Sequence, residues 1–275
     1  MINNSYRKLN TNIKMGLIFI CIPITIAIIA PLLMSLNVSD VDPIMRFQFV
    51  SAGHFMGTDD LGRDIFSRVI YGIRISIFIG LVVTIISALV GMVTGILSAY
   101  YRPADLILMR LVDGIMAFPT IILAISLAGV LGAGISNIII ALSISYFPMF
   151  ARITKNSVLT TQSTEYVESA IALGKHDFYI IKNYILPNIL PPVIVQVTFT
   201  FAMAILNESI LSFLGVGIQV PMPSLGGMVN DGRNYLTIAP WIITFPGLTI
   251  SWIVMSLNLI GDGVRDQLDP KKNRK

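Results

Sequence analysis

Few side chains in this sequence have a type and spacing that could support catalysis. The two histidines, His54 and His176, lie far apart in polar stretches, and the single cysteine, Cys21, lies inside an apolar run. No serine or cysteine is paired with a base, no acids and histidines have the spacing of metal ligands, and no GxxxxGK[ST] phosphate loop is present. We therefore expect that the chain is not an enzyme, has no catalytic or metal-binding residues and binds no cofactor.

Glu208 is the one acid deep in a long apolar stretch. An ionisable group at membrane depth is costly and usually faces protein or water. Two interpretations stay open for Glu208 and the adjacent Ser209. They belong to a transport pathway or a subunit interface, or Glu208 is a neutral, hydrogen-bonded carboxylic acid near the outer end of its span.

The longest polar interruption in the second half of the chain is Glu165–Pro187. Residues at i, i+3, i+4 and i+7 share one face and predict a short amphipathic helix, which Gly174 ends because glycine accepts positive φ. Asp177 is predicted to cap a second short helix, and Pro187 to end it because proline lacks an N–H group. On composition alone, a loop lying on the lipid headgroups is an equal alternative to a functional element.

Two other polar segments lie between apolar runs. His54–Arg68 combines turn residues with closely spaced charges, so that Asp60 or Asp64 is expected to cap the helix that follows. The segment 215–239 is rich in glycine and proline. Its helix-breaking residues, with apolar residues between them, predict a short re-entrant hairpin at the outer mouth of the protein.

Composition places the chain in the membrane. Of its 275 residues, 55% are hydrophobic and 12% are charged, whereas a soluble domain has about 25% charged residues. The apolar runs predict an all-α, polytopic protein with six transmembrane helices. The predicted spans are Met15–Leu36, Ile75–Tyr101, Leu106–Leu131, Ser136–Ala151 (which may extend past Arg152), Asn188–Leu214 and Trp241–Ile260.

The distribution of basic residues predicts the orientation. If both ends are cytoplasmic, 14 of the 19 lysines and arginines lie on that side and five lie outside, as the positive-inside rule requires. The net charge of +4 is thus explained by residues that flank spans, and no nucleic-acid partner is expected. The predicted division is a cytoplasmic tail (1–14), a first span with an extracellular segment (15–73), a core of five transmembrane helices (74–263) containing the cytoplasmic loop 153–187, and a cytoplasmic tail (264–275).

Three strings resemble those of one protein family. One string resembles the EAA loop of ABC-importer permeases. It consists of Glu168-Ser169-Ala170, then three residues, Gly174, nine further residues and a block that ends at Leu186-Pro187. Two positions depart from the family pattern, because Ser169 replaces an alanine and Tyr184 replaces an isoleucine. The run from Gly57 to Arg68 resembles a GTDxxGRDxxSR signature, and Glu208 to Met228 resembles an ES-LSFLG-G…P-P-WG-M block, with Leu225 in place of tryptophan. The chain is similar to the second (DppC/OppC-like) permease subunit of dipeptide, oligopeptide and nickel ABC importers.

The resemblance implies a type I ABC-importer permease in the cell membrane, surrounded by lipid. Its implied partners are a homologous permease, two ATPases that bind ATP and Mg²⁺, and an extracellular solute-binding protein. Its implied cargo is a peptide, or alternatively nickel or a metal chelate. The implied ATPase-coupling residues are Glu165, Glu168, Ser169, Ala170, Gly174, Lys175, Asp177, Leu186 and Pro187. The outer signature comprises Gly57, Thr58, Asp59, Gly62, Arg63, Asp64, Ser67 and Arg68. The residues of a possible pathway or interface are Glu208, Ser209, Pro221, Pro223 and Gly226.

Two other classes of membrane protein fit the sequence less well. A secondary transporter would show several intramembrane charges and inverted repeats, whereas only Glu208 is evident and no repeat is found. An intramembrane hydrolase would need a catalytic pair at membrane depth, but both histidines lie in polar loops. Co-purification of ATPase chains would separate the importer from both alternatives.

Overall fold

The computed structural model describes residues 10–33, 38 and 40–268, and within them the fold is entirely helical. Short 3₁₀ turns occupy Pro43–Met45 and Arg233–Tyr235, and a π-helical turn occupies Ile181–Ile185. The α-helices are α1 (Thr11–Leu33), α2 (Ile65–Tyr100), α3 (Arg102–Met116), α4 (Thr120–Leu131), α5 (Ile135–Gln162), α6 (Glu165–Ala172), α7 (Asp177–Ile180), α8 (Leu186–Phe213), α9 (Leu225–Gly232) and α10 (Trp241–Leu268).

Five helical runs in the described residues are long and apolar enough to cross a membrane: α1, α2, α5, α7–α8 and α10. The predicted single span Leu106–Leu131 is wrong, because α3 and α4 meet at a 93° bend. Pro119 lacks an N–H group and disfavours helical backbone at Phe118, which explains the break. Counted as one broken span, the pair makes the sixth.

The ends of the other predicted spans also differ, because helices continue past their apolar runs: α2 begins at Ile65, ten residues before Ile75, and α10 ends at Leu268, eight residues after Ile260. Helix α1 begins at Thr11, before the predicted start at Met15, and residues 34–36 of that predicted span lie outside the described residues. Helix α5 does continue past Arg152, to Gln162. Residues 1–9 and 269–275, which carry most of the two predicted cytoplasmic tails, also lie outside the described residues.

Helix α1 contains two prolines whose missing N–H groups are replaced by side chains from other helices. Pro23 cannot donate to the carbonyl of Phe19, and the indole of Trp252 donates to that oxygen at 2.9 Å. Pro31 likewise cannot donate a hydrogen bond to the carbonyl of Ala27, and that oxygen accepts one from Arg74 Nε at 2.7 Å. Backbone groups freed by proline in a membrane helix need such partners, so these two bonds tie α1 to α10 and α2.

Helix α2 crosses α5 at close range through two glycines. A Cβ atom on Gly91 or Gly95 would overlap backbone and side-chain atoms of α5, including the carbonyl oxygen of Ala151. The spacing is the GxxxG pattern, in which small residues let membrane helices approach closely. A buried apolar cluster continues this contact to α4 and α8, with Ile79, Val83, Ala128, Ile138, Leu142 and Leu211 among its members.

Helix α3 is tied to α5 by ion pairs near the end of the bundle that carries α6 and α7, here called the α6–α7 end. Arg152 contacts Asp113 at 2.6 Å, and Lys155 contacts Asp105. The opposite end, here called the α9 end, carries residues 40–64 and α9.

Candidate functional site

The predicted elbow is present between α6 and α7. Gly174 has a φ of +72°, as the sequence predicted, and its N–H donates to Ile171 O at 2.9 Å. The N–H of Lys175 then donates to Ala170 O at 3.2 Å. These two bonds satisfy carbonyls at the end of α6, which is the usual function of a glycine in left-handed conformation at a helix C-terminus.

Two predicted details of the second short helix are wrong. The capping residue is His176, whose Nδ1 accepts from Phe178 N at 3.4 Å, and Asp177 is the first helical residue, where its negative charge still suits a helix N-terminus. Pro187 does not end the helix. The chain runs through the π-helical turn into α8, and Pro187 lies in the first turn of α8, where no N–H donor is needed.

The segment 165–187 has a buried side and an exposed apolar side. Val167, Ile180 and Ile185 form a buried cluster with Val158 of α5 and Ile189 of α8, which fixes the segment to two long helices. The opposite side exposes large apolar side chains, with Leu173 77% and Phe178 71% exposed. Tyr166, Ile171 and Tyr179 extend this apolar surface.

The polar members of the predicted coupling set lie around that surface. Glu165 and Glu168 are exposed in the first turn of α6, and Ser169 Oγ donates to Glu165 O at 2.7 Å. Ala170 is buried, whereas Leu186 is 37% exposed. Lys175 Nζ lies 5.3 Å from the ring centroid of Tyr179. The structure thus brings the predicted residues into one segment, while their role in coupling stays a prediction.

The outer signature folds around a buried ion pair. Arg63 Nε lies 2.6 Å from Asp59 Oδ2, and both side chains are more than nine-tenths buried. Asp59 Oδ1 also accepts from the N–H groups of Leu61 and Arg63 at 2.9 Å. Gly62, with a φ of +77°, lies so close to the carbonyl of Asp42 that a Cβ atom would overlap it. The charges and glycines of the signature therefore determine a tight turn.

The same turn is joined to α2 and α10. Asp64 caps α2, as the sequence predicted: Asp64 Oδ2 accepts from Ser67 N at 2.8 Å and from Ser67 Oγ at 2.6 Å. His54 Nδ1 lies 3.0 Å from Asp64 Oδ1. The turn is joined to α10 by Trp241, whose Nε1 donates to the backbone oxygen of Thr58 at 3.1 Å.

Arg68 and Asp231 form an outer charged cavity that the sequence did not reveal. Arg68 Nε lies 3.8 Å from Asp59 Oδ2, and Arg63 Nη2 lies 3.9 Å from Asp231 Oδ2. Arg68 and Asp231 line a cavity of about 150 Å³. Burial raises the pKa of Asp231, and the positive charges of Arg68 and Arg63 oppose that rise. No local sequence pattern connects Asp231 with Arg63, because the two residues are distant in the chain.

Glu208 is fully buried and hydrogen-bonded to serines. Its Oε2 accepts from Ser76 Oγ at 2.7 Å and its Oε1 accepts from Ser212 Oγ at 2.9 Å. Ser209 Oγ donates within its own helix to Ile205 O. This geometry supports the interpretation of Glu208 as a hydrogen-bonded acid that joins α8 to α2. The alternative, a pathway or interface role, stays untested.

The glycine- and proline-rich segment turns into the protein. Pro221 is exposed, Pro223 is buried, and α9 follows with Leu225 fully buried. Gly226 packs on Ser209 so closely that a Cβ atom would overlap the Ser209 carbonyl. In place of the predicted re-entrant hairpin, a turn leads into this short helix, which packs against α8 and α10. That this segment lines the outer mouth stays a prediction.

Comparisons with known proteins identify the family. Residues 87–274 match the model of the family described as binding-protein-dependent transport system inner membrane component. A putative peptide transport system permease protein of Brucella suis is 45% identical over 94% of this chain and 87% of that relative. The dipeptide transport system permease protein DppC of Alkalihalophilus pseudofirmus is 43% identical over 96% of this chain and 87% of its own length.

The fold also matches a solved importer. A chain of the MetNI methionine ABC transporter has a TM-score of 0.58, with 20% identity, over 73% of this chain and 96% of that chain. At this identity the match concerns the fold alone. The sequence relationship is much stronger, and it agrees with the multi-pass helical architecture. The chain therefore belongs to the family of binding-protein-dependent transport system inner membrane components, and it is a membrane permease subunit of an ABC importer.

Proposed function

We propose that this chain imports short peptides as one of two permease subunits, supplied by an extracellular solute-binding protein and driven by two ATPases. The support for the cargo is the printed names of the relatives, which are peptide and dipeptide transport permeases. Over 90% of this chain aligns with each of these two relatives.

The observation that carries the coupling role is the exposed apolar surface of α6 and α7. Leu173 and Phe178 are mostly exposed at the α6–α7 end of the bundle, whereas the opposite side of the same segment is packed on α5 and α8. Exposed apolar clusters of this kind mark protein or membrane interaction sites, and we assign this one to the ATPases rather than to the lipid headgroups. An ATPase that covers Leu173 and Phe178 would bury them and gain affinity from two large side chains near the centre of a contact.

The helical path gives this contact a mechanical consequence. From Asp177 to Phe213 the chain forms one helical run of 37 residues, including the π-helical turn. A helix this long spans about 55 Å. When the ATPases close on ATP and Mg²⁺, a displacement of α7 is carried directly into the membrane by α8. The movement would convert the bundle between inward- and outward-facing packings.

Uptake measurements test the proposal. Cells that lack this chain should lose ATP-dependent uptake of a radiolabelled dipeptide, and the wild-type chain should restore it, together with binding of the ATPases to the membrane. Undiminished dipeptide uptake in the deletion strain, combined with loss of nickel-chelate uptake, would contradict a peptide cargo. Normal uptake after depletion of ATP would contradict the importer mechanism.

A further inference from the structure

A cavity of about 550 Å³ lies where the bent α3–α4 pair faces three long helices. Its walls come from α3, α4, α5, α8 and α10. None of its lining residues is charged. Hydrogen-bonding and flexible side chains from α5, α8 and α10 line the centre of the cavity: Tyr146, Met149, Gln196, Thr200, Met203 and Asn258.

Residue positions place this cavity within the membrane, between its middle and its α6–α7 side. Ser145 lies ten residues after the start of α5, Thr200 lies thirteen before the end of α8, and Asn258 lies seventeen after the start of α10. All three counts run from the α9 end of the bundle. At 1.5 Å per residue they give depths of about 15, 20 and 25 Å in a hydrocarbon core of about 30 Å.

The break between α3 and α4 lies at the same depth. Helix α4 has 12 residues, so its first residue lies about 18 Å from the α9 end. Non-helical backbone at membrane depth is tolerated only where it is buried in protein or lines a water-filled cavity. Phe118, at the break, is 58% exposed and lines this cavity together with Thr120. The broken helix therefore requires water, a ligand or a further protein surface here.

The chemistry of the lining suits a peptide backbone. Gln196 Nε2 donates to Thr200 Oγ1 at 3.0 Å, and Tyr146 OH accepts from Asn207 Nδ2 at 2.6 Å, so both are held in place. Within the part of the chain that the structure describes, no hydrogen-bond partner reaches the side-chain amide of Asn258. An amide at this depth needs a partner. A peptide bond in transit offers both a donor and an acceptor.

Three methionines, Met116, Met149 and Met203, complete the surface. Met149 and Met203 are both 48% exposed. Methionine is flexible and adapts its shape, which suits surfaces that accept varied partners. Flexible apolar walls around fixed, neutral hydrogen-bonding groups would hold a peptide by its backbone while tolerating different side chains.

We propose that this cavity is a binding site within the membrane for peptides in transit, which holds the backbone and does not select by side-chain charge. The proposal rests on the proposed peptide-import function and identifies the part of this chain that contacts the cargo. Because the lining contains no fixed charge, acidic and basic peptides meet the same electrostatic environment. A charge introduced at position 258 should therefore make the permease distinguish acidic from basic peptides, which the wild-type permease does not do.

The test compares Asn258→Asp and Asn258→Lys in the complete transporter, with uptake of Lys-Ala and Glu-Ala measured in the same cells. The ratio of the two uptake rates is independent of the amount of inserted permease. Relative to wild type, Asn258→Asp should reduce Glu-Ala uptake at least about tenfold more than Lys-Ala uptake, because like charges repel strongly at low dielectric. Asn258→Lys should shift the ratio in the opposite direction.

Asn12→Asp and Asn12→Lys are the matched controls, because Asn12 lies in the first turn of α1 and away from the cavity. Their ratios should equal that of the wild type. If both Asn258 variants import at the wild-type ratio, the site proposal is overturned while peptide import stands. If the wild-type transporter takes up neither dipeptide, the proposed function itself fails.

A second measurement applies if both charged variants abolish all uptake. Asn258→Cys, in a Cys21→Ser background, should react with a small charged methanethiosulfonate reagent, and excess Ala-Ala should slow the reaction at least about threefold by occupying the site. Absence of reaction would show that the partner permease or lipid fills the cavity, and reaction without protection would show that peptide does not bind there. Either result overturns the proposal.

Discussion

Arg74 and Trp252 each supply a hydrogen bond that a proline in α1 cannot make. We expect Arg74→Leu to leave the Ala27 carbonyl unpaired and to lower stability by about 1–3 kcal/mol. Pro31→Ala restores an N–H group for the same carbonyl, so the double variant should recover part of the loss. Thermal unfolding of the purified permease in detergent measures both effects. Strict additivity of the two substitutions would contradict this explanation.

The ion pair of Asp59 and Arg63 should be the most sensitive part of the outer signature. Asp59→Ala would leave Arg63 buried without its close partner, at a cost of about 3–5 kcal/mol. Asp60→Ala is the matched control, because Asp60 lies 3.8 Å from the same guanidinium with a partly exposed side chain, and we expect a loss below about 1 kcal/mol. Unfolding temperatures that fall equally in the two variants would disprove the assignment.

For single residues, the sequence predicted helix caps and backbone conformation better than it predicted contacts between residues that are distant in the chain. The cap by Asp64 and the positive φ of Gly174 follow from neighbouring residues, and both are confirmed. Asp177 and His176 are both able to cap a helix, and spacing alone could not separate adjacent positions. The contacts of Glu208 with Ser76 and of Arg63 with Asp231 depend on how distant helices pack, so no local pattern indicates them.

Among the elements, the elbow between α6 and α7 is expected to control coupling. Gly174→Asp costs about 1 kcal/mol of backbone strain, and a Cβ atom there lies more than 4 Å from all non-neighbouring atoms of the described residues, so the permease should insert normally. Dipeptide uptake and the amount of membrane-bound ATPase should nevertheless fall at least about tenfold, since a charge enters an apolar contact. Quantitative blotting of inserted permease and bound ATPase, together with uptake, measures this.

Gly132→Asp is a stringent control for backbone strain. Gly132 has a φ of +84° and a ψ of 171°, a region that is almost exclusive to glycine, so the strain there is at least as large as at Gly174; it lies between α4 and α5 at the α9 end. It should therefore retain ATPase binding and uptake. If Gly174→Asp also binds ATPase and transports normally at equal expression, the segment 165–187 is not the coupling element.

Helices α8 and α9 can pack closely because Gly226 has no side chain. We expect Gly226→Ala to lower stability by about 2 kcal/mol or more, because the new methyl group would overlap the Ser209 carbonyl. Gly247→Ala, in the interior of α10 with no atom within 4 Å of a Cβ, should be neutral or slightly stabilising. Equal unfolding temperatures for the two variants would show that α9 can move away at little cost.

Element boundaries show where sequence patterns lose information. The six apolar runs were visible, but Phe118-Pro119 was included in a continuous predicted span because membrane helices tolerate proline. The sharp bend arises because α4 turns away from α3 to pack on α5, a tertiary contact that hydropathy does not report. The GxxxG spacing of Gly91 and Gly95 was a local signal that the sequence analysis did not use.

For the whole molecule, the predicted orientation can be tested with single cysteines. In a Cys21→Ser background, Ser51→Cys should react with a membrane-impermeant maleimide in intact cells, because Ser51 is exposed in the predicted extracellular segment. Ser169→Cys, exposed on α6, should react only after permeabilisation. The expected difference follows from the 14-to-5 distribution of basic residues. If only Ser169→Cys reacted in intact cells, the orientation would be the reverse of the predicted one.

The exposed apolar side of α6 and α7 also affects how a cell must produce this subunit. Leu173 and Phe178 are suitable for burial by a partner, and until that partner arrives they resemble the surface of an incompletely folded protein. Chaperones and proteases recognise such surfaces. An excess of permease over ATPase would therefore be removed by degradation, so that the lifetime of each copy reports whether it has been assembled.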